Sequence, residues 1–142
     1  MNTAILAPAA VLVLWSLVML LWLGRARFSA MASAGVDVRR APPGGRGQDL
    51  EGRLPASVMW KSHNYTHLME QPTLFYATVM ILAVAGAATR LDIALAWSYT
   101  AIRIVHSIYQ ATINRVAARF TIFLVATACL AALAVRALLV TL

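Results

Sequence analysis

The sequence predicts an all-α integral membrane protein, a single bundle of four transmembrane helices over residues 1–142. Of its 142 residues, 61% are hydrophobic and only 12% are charged, whereas soluble domains carry about 25% charge. Several apolar runs approach or exceed the roughly 18 residues that suggest a membrane span. The net charge of +7 does not indicate nucleic-acid binding, because most basic residues lie beside hydrophobic segments and no nucleic-acid motif accompanies them.

The first predicted span covers residues 4–23, a nearly uninterrupted apolar run of twenty residues. No basic stretch precedes it and no small-residue cleavage site follows, so we expect a membrane helix rather than a cleaved signal peptide. A basic connection follows over residues 24–57. It contains the breaker cluster Pro42-Pro43-Gly44-Gly45, which excludes helix and strand there and predicts a mobile surface loop.

Three further spans are predicted over residues 60–88, 93–113 and 119–140. The connections between them, residues 89–92 and 114–118, are short, so consecutive helices should be antiparallel neighbours.

The distribution of basic residues predicts the orientation. The connections at one end of the bundle carry most of them: Arg25, Arg27, Arg39, Arg40, Arg46, Arg53, Lys61, Arg115 and Arg119. The opposite end carries only Arg90 and Arg136. The positive-inside rule therefore places the basic loops in the cytoplasm and both termini outside it.

One face of the third helix is polar although its flanks are apolar. At about 100° per residue, its polar side chains fall within roughly one 100° arc; they are Tyr99, Arg103, His106, Ser107, Gln110 and Asn114. A charged side chain at bilayer depth is costly and marks a functional site by default. With a rise of about 1.5 Å per residue, Arg103 lies about 16 Å from the outer end of the helix, near the midplane.

The same helical rise places polar groups of three helices at similar depth. Glu70, Gln110, Asn114 and Arg119 lie at one level in the cytoplasmic third of the membrane, and His106 lies above them towards the midplane. A purely structural interpretation stays open, in which Glu70 pairs with Arg103 or Lys61 and the residues near the fourth helix are interfacial.

Metal and thiol chemistry are poorly supported. His63 and His67 have i, i+4 spacing, but no third ligand has diagnostic spacing, so no metal site is expected. Cys129 lies in an apolar run without an acid or base nearby in sequence, which favours an inert buried side chain.

Two stretches resemble the MAPEG family, the membrane-associated proteins in eicosanoid and glutathione metabolism. The first is Asn64-Tyr-Thr-His-Leu-Met-Glu70-Gln-Pro72, which is similar to the family's Asn…Glu…Pro pattern in the second helix. The second runs from Arg103 to Arg119 and is similar to the family's third-helix and fourth-helix arginines. Length, four spans and topology agree with the resemblance over nearly the whole chain.

The resemblance implies a homotrimer in the lipid bilayer, with glutathione as co-substrate bound between subunits near the cytoplasmic side. It implies that Arg119 is the catalytic residue that stabilises the thiolate, and that Glu70 holds the amine or orients an arginine. Arg103 would bind a carboxylate, together with Arg115. The remaining expected substrate-binding residues are His106, Gln110, Asn114 and Asn64. The second substrate would be an apolar electrophile or peroxide that enters from lipid.

The sequence departs from the eicosanoid enzymes at two positions and in one spacing. Gln110 stands where those enzymes have a tyrosine, and His67 stands where an asparagine is common. The spacing from Glu70 to Pro72 is also short compared with those enzymes. The pattern is more similar to the bacterial branch, which implies a bacterial inner membrane. Two other classes stay open: a non-catalytic lipid-binding or scaffold trimer, and a small transporter or channel, although no broken-helix pair or internal repeat supports transport.

Overall fold

Four α-helices make up most of the chain in the computed structural model, which describes residues 3–142. They are α1 (Leu6–Ser33), α2 (Ala56–Val84), α3 (Arg90–Thr112) and α4 (Val116–Thr141). Short 3-10 turns precede α1 and lie in the connection between α1 and α2: Thr3–Ile5, Val38–Arg40 and Gly47–Leu50. Residues 3–142 contain no strand. The predicted all-α class and four-helix architecture are therefore confirmed, whereas the trimer stays a prediction.

The first turn of α3 is fixed by a reciprocal cap. The Thr89 hydroxyl accepts a hydrogen bond from the Asp92 amide, and the Asp92 carboxylate accepts one from the Thr89 amide. Such a capping box satisfies two amides that have no partner within the helix. Asp92 also accepts two hydrogen bonds from Arg136 at 3.3 Å, so the beginning of α3 is joined to the end of α4.

The packing places α2 and α3 between the other two helices. The most extensive contacts are those of α3 with α4 and of α1 with α2, and α2 also contacts α3 and α4. The apolar core between the helices is built from side chains such as Leu12, Met19, Phe75, Leu82 and Leu133. The polar face of α3 thus lies within the bundle.

Two helices of the described chain are long and apolar enough to cross a membrane. The segments are Thr3–Ser33 and Val116–Thr141, with mean hydropathies of 2.5 and 2.4. Large apolar side chains such as Leu14, Leu21, Val135 and Leu139 are exposed on their outer faces. The two central helices, α2 and α3, supply most of the buried polar side chains. That they also span a membrane stays a prediction.

The first helix continues ten residues beyond the predicted end of the first span at Leu23. Its last turns pack through Met31 against Leu54 and Met59 in a small second apolar cluster. Part of the predicted loop 24–57 is therefore helical, because an apolar contact supports the helix after the apolar run has ended.

Candidate functional site

The polar arc of α3 faces the interior of the bundle. Its side chains between residues 99 and 110 are all buried: Tyr99, Arg103, His106, Ser107 and Gln110. Burying a polar group requires a hydrogen-bond partner or costs stability. We therefore expect each of these buried groups to have a hydrogen-bond partner.

Arg103 is fully buried, with 0% of its surface exposed, and it is bound by a single residue of α2. Its Nη2 donates to the backbone carbonyl of His67 at 3.0 Å and contacts Nδ1 of the same residue at 2.9 Å. A guanidinium has only donors, so Nδ1 of His67 accepts and its proton lies on Nε2. The Nε and Nη1 atoms of Arg103 are buried without a hydrogen-bond partner among the described residues.

Two histidines and a phenylalanine enclose this guanidinium. The rings of His67 and His106 stack with centroids 5.0 Å apart, and the Phe123 ring of α4 meets His67 edge-on at 5.4 Å. The guanidinium carbon of Arg103 lies 5.9 Å from the centre of the Phe123 ring, within cation–π range. Because Arg103 is completely covered, a ligand reaches its free nitrogens only when a neighbouring side chain moves, and His67 and Phe123 are the half-buried ones.

Ser107 connects α3 to two other helices. Its Oγ accepts a hydrogen bond from Nε1 of Trp15 at 3.0 Å and another from Nδ2 of Asn64 at 2.8 Å. Asn64 is buried. The structure therefore gives Asn64 an interhelical contact within the bundle.

A second hydrogen-bonded chain crosses the bundle towards its other end. Tyr99 donates to Oε1 of Gln71 at 3.2 Å, and Nε2 of Gln71 donates to the hydroxyl of Thr127 at 2.9 Å. The polar interior thus connects α2, α3 and α4 at this level too. Nearer the predicted cytoplasmic end, the buried Oε1 of Gln110 has no partner among residues 3–142.

Arg119 lies near the start of α4 and is held by Asn114. The Oδ1 atom of Asn114 accepts a hydrogen bond from Nη1 of Arg119 at 2.7 Å. Asn114 has a φ of 54° and is the one non-glycine residue of the described chain with positive φ; asparagine tolerates this left-handed conformation better than most residues. The side chain of Arg115 is exposed.

Glu70 lies on an exposed part of α2. Its carboxylate makes no hydrogen bond or ion pair within residues 3–142, so neither structural pairing considered from the sequence is formed. Arg103 bonds His67 instead, and Lys61 donates to the carbonyls of Ser57 and Ala111.

The two histidines with i, i+4 spacing are engaged separately. His63 pairs with Glu51 through a 2.9 Å contact at the surface, whereas His67 lies against Arg103. Among residues 3–142, no group of three or more histidine, cysteine or acidic side chains is placed to hold a metal ion.

The predicted site residues therefore form two sets. Arg103, His106, Gln110 and Asn64 lie inside the bundle. The other set, at the surface or half-buried, is Glu70, Asn114, Arg115 and Arg119.

His67, Gln71 and Phe123 contact the polar side chains of α3 or their partners, but they were not predicted as site residues. A signal was available for the first two: residues 64, 67, 71 and 75 share the i, i+3, i+4 spacing of one helical face. Phe123 carried no comparable signal, because aromatic residues are ordinary in an apolar helix.

A four-helix fold with two strongly apolar helices and a buried arginine–histidine cluster defines a membrane-associated helical protein with a polar interior site. The model of the MAPEG family matches residues 5–139, and the chain belongs to the MAPEG family. The resemblance seen in the sequence is thereby confirmed. This membrane-associated family uses glutathione and includes membrane glutathione transferases and peroxidases. No curated protein and no solved structure matches the chain.

Proposed function

We propose that the protein is a membrane-bound glutathione-dependent transferase or peroxidase that acts on an apolar electrophile, with Arg119 stabilising the thiolate. The observation that supports this most directly is the Asn114–Arg119 pair. It holds a guanidinium at the start of α4, four residues before Phe123, whose ring contacts His67. A glutathione thiol with a pKa of about 8.5 is mostly protonated at neutral pH, and a nearby guanidinium favours its anion.

The remaining residues fit the other charges of glutathione. Arg103 offers two buried nitrogens that have no partner within residues 3–142, and arginine binds carboxylates well because it stays charged and presents paired donors. The carboxylate of Glu70 has no ion pair in the described chain and is available to an ammonium group. Arg115 is exposed beside Asn114 and Arg119 and can bind a second carboxylate.

Two reactions follow from a thiolate held in this way. With an electrophile, the sulfur forms a bond to carbon, the leaving group departs with the bonding electron pair and the thiol proton passes to solvent. With a hydroperoxide, the thiolate attacks oxygen and the O–O bond breaks to give an alcohol and a sulfenic acid. A second glutathione then reduces the sulfenic acid, which gives a disulfide and water.

The proposed setting is a homotrimer in a bacterial inner membrane, with both termini outside the cytoplasm and the site between subunits. Exposed apolar residues on α3 and α4, such as Val105, Ile108, Leu124 and Val125, support contact with neighbouring subunits or with lipid and give an apolar substrate a route from the bilayer.

The test is conjugation of glutathione to a chromophoric electrophile by the full chain in detergent. Arg119→Ala should abolish turnover and leave the oligomer intact. The control is Arg90→Ala, which removes an arginine at the beginning of α3, at the opposite end of the bundle, and should leave turnover unchanged. Full activity of Arg119→Ala would exclude the proposed role. If calorimetry shows that the wild-type protein does not bind glutathione, the non-catalytic lipid-binding or scaffold alternative is favoured.

A further inference from the structure

A cavity outside the helical bundle lies between the end of α1 and the connection to α2. Its volume is about 520 Å³, within the range of small-molecule sites. Four arginines line it: Arg27, Arg40, Arg46 and Arg53. The glutathione site proposed above uses none of them.

The two acidic residues that line the cavity are already engaged. The Asp37 carboxylate accepts a hydrogen bond from the Arg39 amide and lies 3.7 Å from Nε of Arg40. The Asp49 carboxylate accepts one from the Arg46 amide at 2.7 Å. The guanidinium groups of Arg46 and Arg53 have no acidic partner among residues 3–142, so the cavity keeps an excess of positive charge.

Arg27 fixes the cavity to the helices. Its Nη2 donates to the Ser62 hydroxyl at 2.6 Å, and its buried Nε has no partner in the described chain. The backbone of Gly47 lies directly against this guanidinium, because a Cβ added at Gly47 would be 2.5 Å from Nη1 of Arg27. The connection is therefore packed onto the end of α1 at this point.

The remaining lining is apolar and lies next to the apolar run of α1. Twenty residues from residue 4 to residue 23 cross about 30 Å of hydrocarbon as a helix. Arg27 follows four residues after Leu23, about 6 Å further along the helix axis, which places it at the level of the lipid headgroups. Phe28, 64% exposed, and Met31 and Val38 line the same cavity. A ligand here meets both arginines and apolar surface.

We propose that this cavity binds the phosphate headgroup of an anionic phospholipid, with its glycerol and first acyl carbons against Phe28, Met31 and Val38. Arginine suits phosphate because it presents several donors with a fixed charge. The apolar wall at headgroup level favours a lipid over free phosphate, which would leave that wall in contact with water.

The experiment titrates the full chain, purified in neutral detergent, with dihexanoyl phosphatidylglycerol, dihexanoyl phosphatidylcholine and inorganic phosphate, followed by calorimetry. Phosphatidylglycerol should bind at least about tenfold more tightly than either other ligand, and added salt should weaken it. Equal binding of the two lipids would overturn the charge requirement. Inorganic phosphate binding as tightly as phosphatidylglycerol would overturn the lipid assignment.

Matched variants separate this cavity from general surface charge. Arg46→Gln and Arg53→Gln should each weaken phosphatidylglycerol binding about fivefold. Arg39→Gln removes the same charge from the same connection, but Arg39 does not line the cavity, so its effect should stay within about twofold. Equal losses in all three variants would overturn the proposal. Arg27→Gln removes the arginine that joins the cavity to α2 through Ser62 and should weaken binding as well; unchanged binding in a folded Arg27→Gln protein would exclude a role for Arg27.

Discussion

Arg103 contacts His67 twice through one nitrogen, at 3.0 Å to the backbone carbonyl and 2.9 Å to Nδ1 of the ring. An arginine bound in this way uses only part of its hydrogen-bond donors, because its Nε and Nη1 stay buried without partners in the described chain. Unpaired buried donors cost about 1–3 kcal/mol each, more when charged. The arrangement is therefore poorly explained by stability alone and better explained by ligand binding.

Arg103→Met tests this explanation. The substitution keeps an apolar stem and removes the unpaired donors, so the unfolding temperature should be unchanged or should rise by a few degrees. Glutathione affinity should fall at least about tenfold, the value of one lost charge-assisted hydrogen bond. Thermal unfolding and calorimetry in the same detergent measure the two effects. A strong loss of stability with unchanged affinity would make Arg103 a structural residue.

Ser107→Ala should destabilise the fold by about 2 kcal/mol, because it leaves the donors of Trp15 and Asn64 without their shared acceptor. Unfolding in mixed micelles, followed by helical circular dichroism, measures the change. Thr112→Ala is the matched control: its exposed hydroxyl donates to the Ile108 carbonyl of its own helix, and the effect should stay within about 0.5 kcal/mol. Similar losses for both variants would contradict the joining role of Ser107.

Two substitutions of Asn114 separate the effect of its positive φ from the effect of its hydrogen bond with Arg119. Asn114→Gly should retain stability, since glycine adopts positive φ freely, whereas Asn114→Ala should lose about 1 kcal/mol. Both variants release Arg119 from its 2.7 Å contact, so both should lose about tenfold in glutathione turnover. Turnover that follows stability, with Gly active and Ala inactive, would show that the turn matters and the contact does not.

Asp92, which precedes the predicted third span, should make stability depend on pH. Burial acts to raise its carboxyl pKa, but hydrogen bonds from Arg136 and Thr89 outweigh burial and lower the pKa from the usual 3.8. The stabilisation is therefore fully present above the unfolded value and is lost as pH falls towards the lowered folded value.

Thermal unfolding between about pH 6 and about pH 3 measures this loss. Asp92→Asn should be less stable than the wild type at the upper end, and the difference should shrink as pH falls. A constant difference across the range would show that the charge of Asp92 does not contribute.

The sequence predicted the four helices and the polar arc of α3 because both depend on local periodicity. Tyr99, Arg103, His106, Ser107 and Gln110 are buried together, as one arc facing a bundle requires. Asn114 left that arc because α3 ends at Thr112, so its side chain turns to Arg119 instead.

The partners of the polar groups were not predictable in the same way. Depth placed Glu70 level with the arc, but depth does not give the rotation of α2 about its axis. The structure leaves Glu70 exposed and brings His67 to Arg103. The continuation of α1 beyond the predicted span was also not predictable, because the contact of Met31 with Leu54 and Met59 joins residues far apart in the sequence.

The stacking of His67 on His106 gives the site a spectroscopic signature. With ring centroids 5.0 Å apart, each imidazole lies in the ring current of the other, so the carbon-bound ring protons should resonate away from their ordinary positions. The chain has only three histidines, and His63 is paired at the surface, so single substitutions suffice to assign the signals. A ligand that displaces His67 to reach Arg103 would return these resonances towards ordinary values, and site opening can then be followed in solution without measuring turnover.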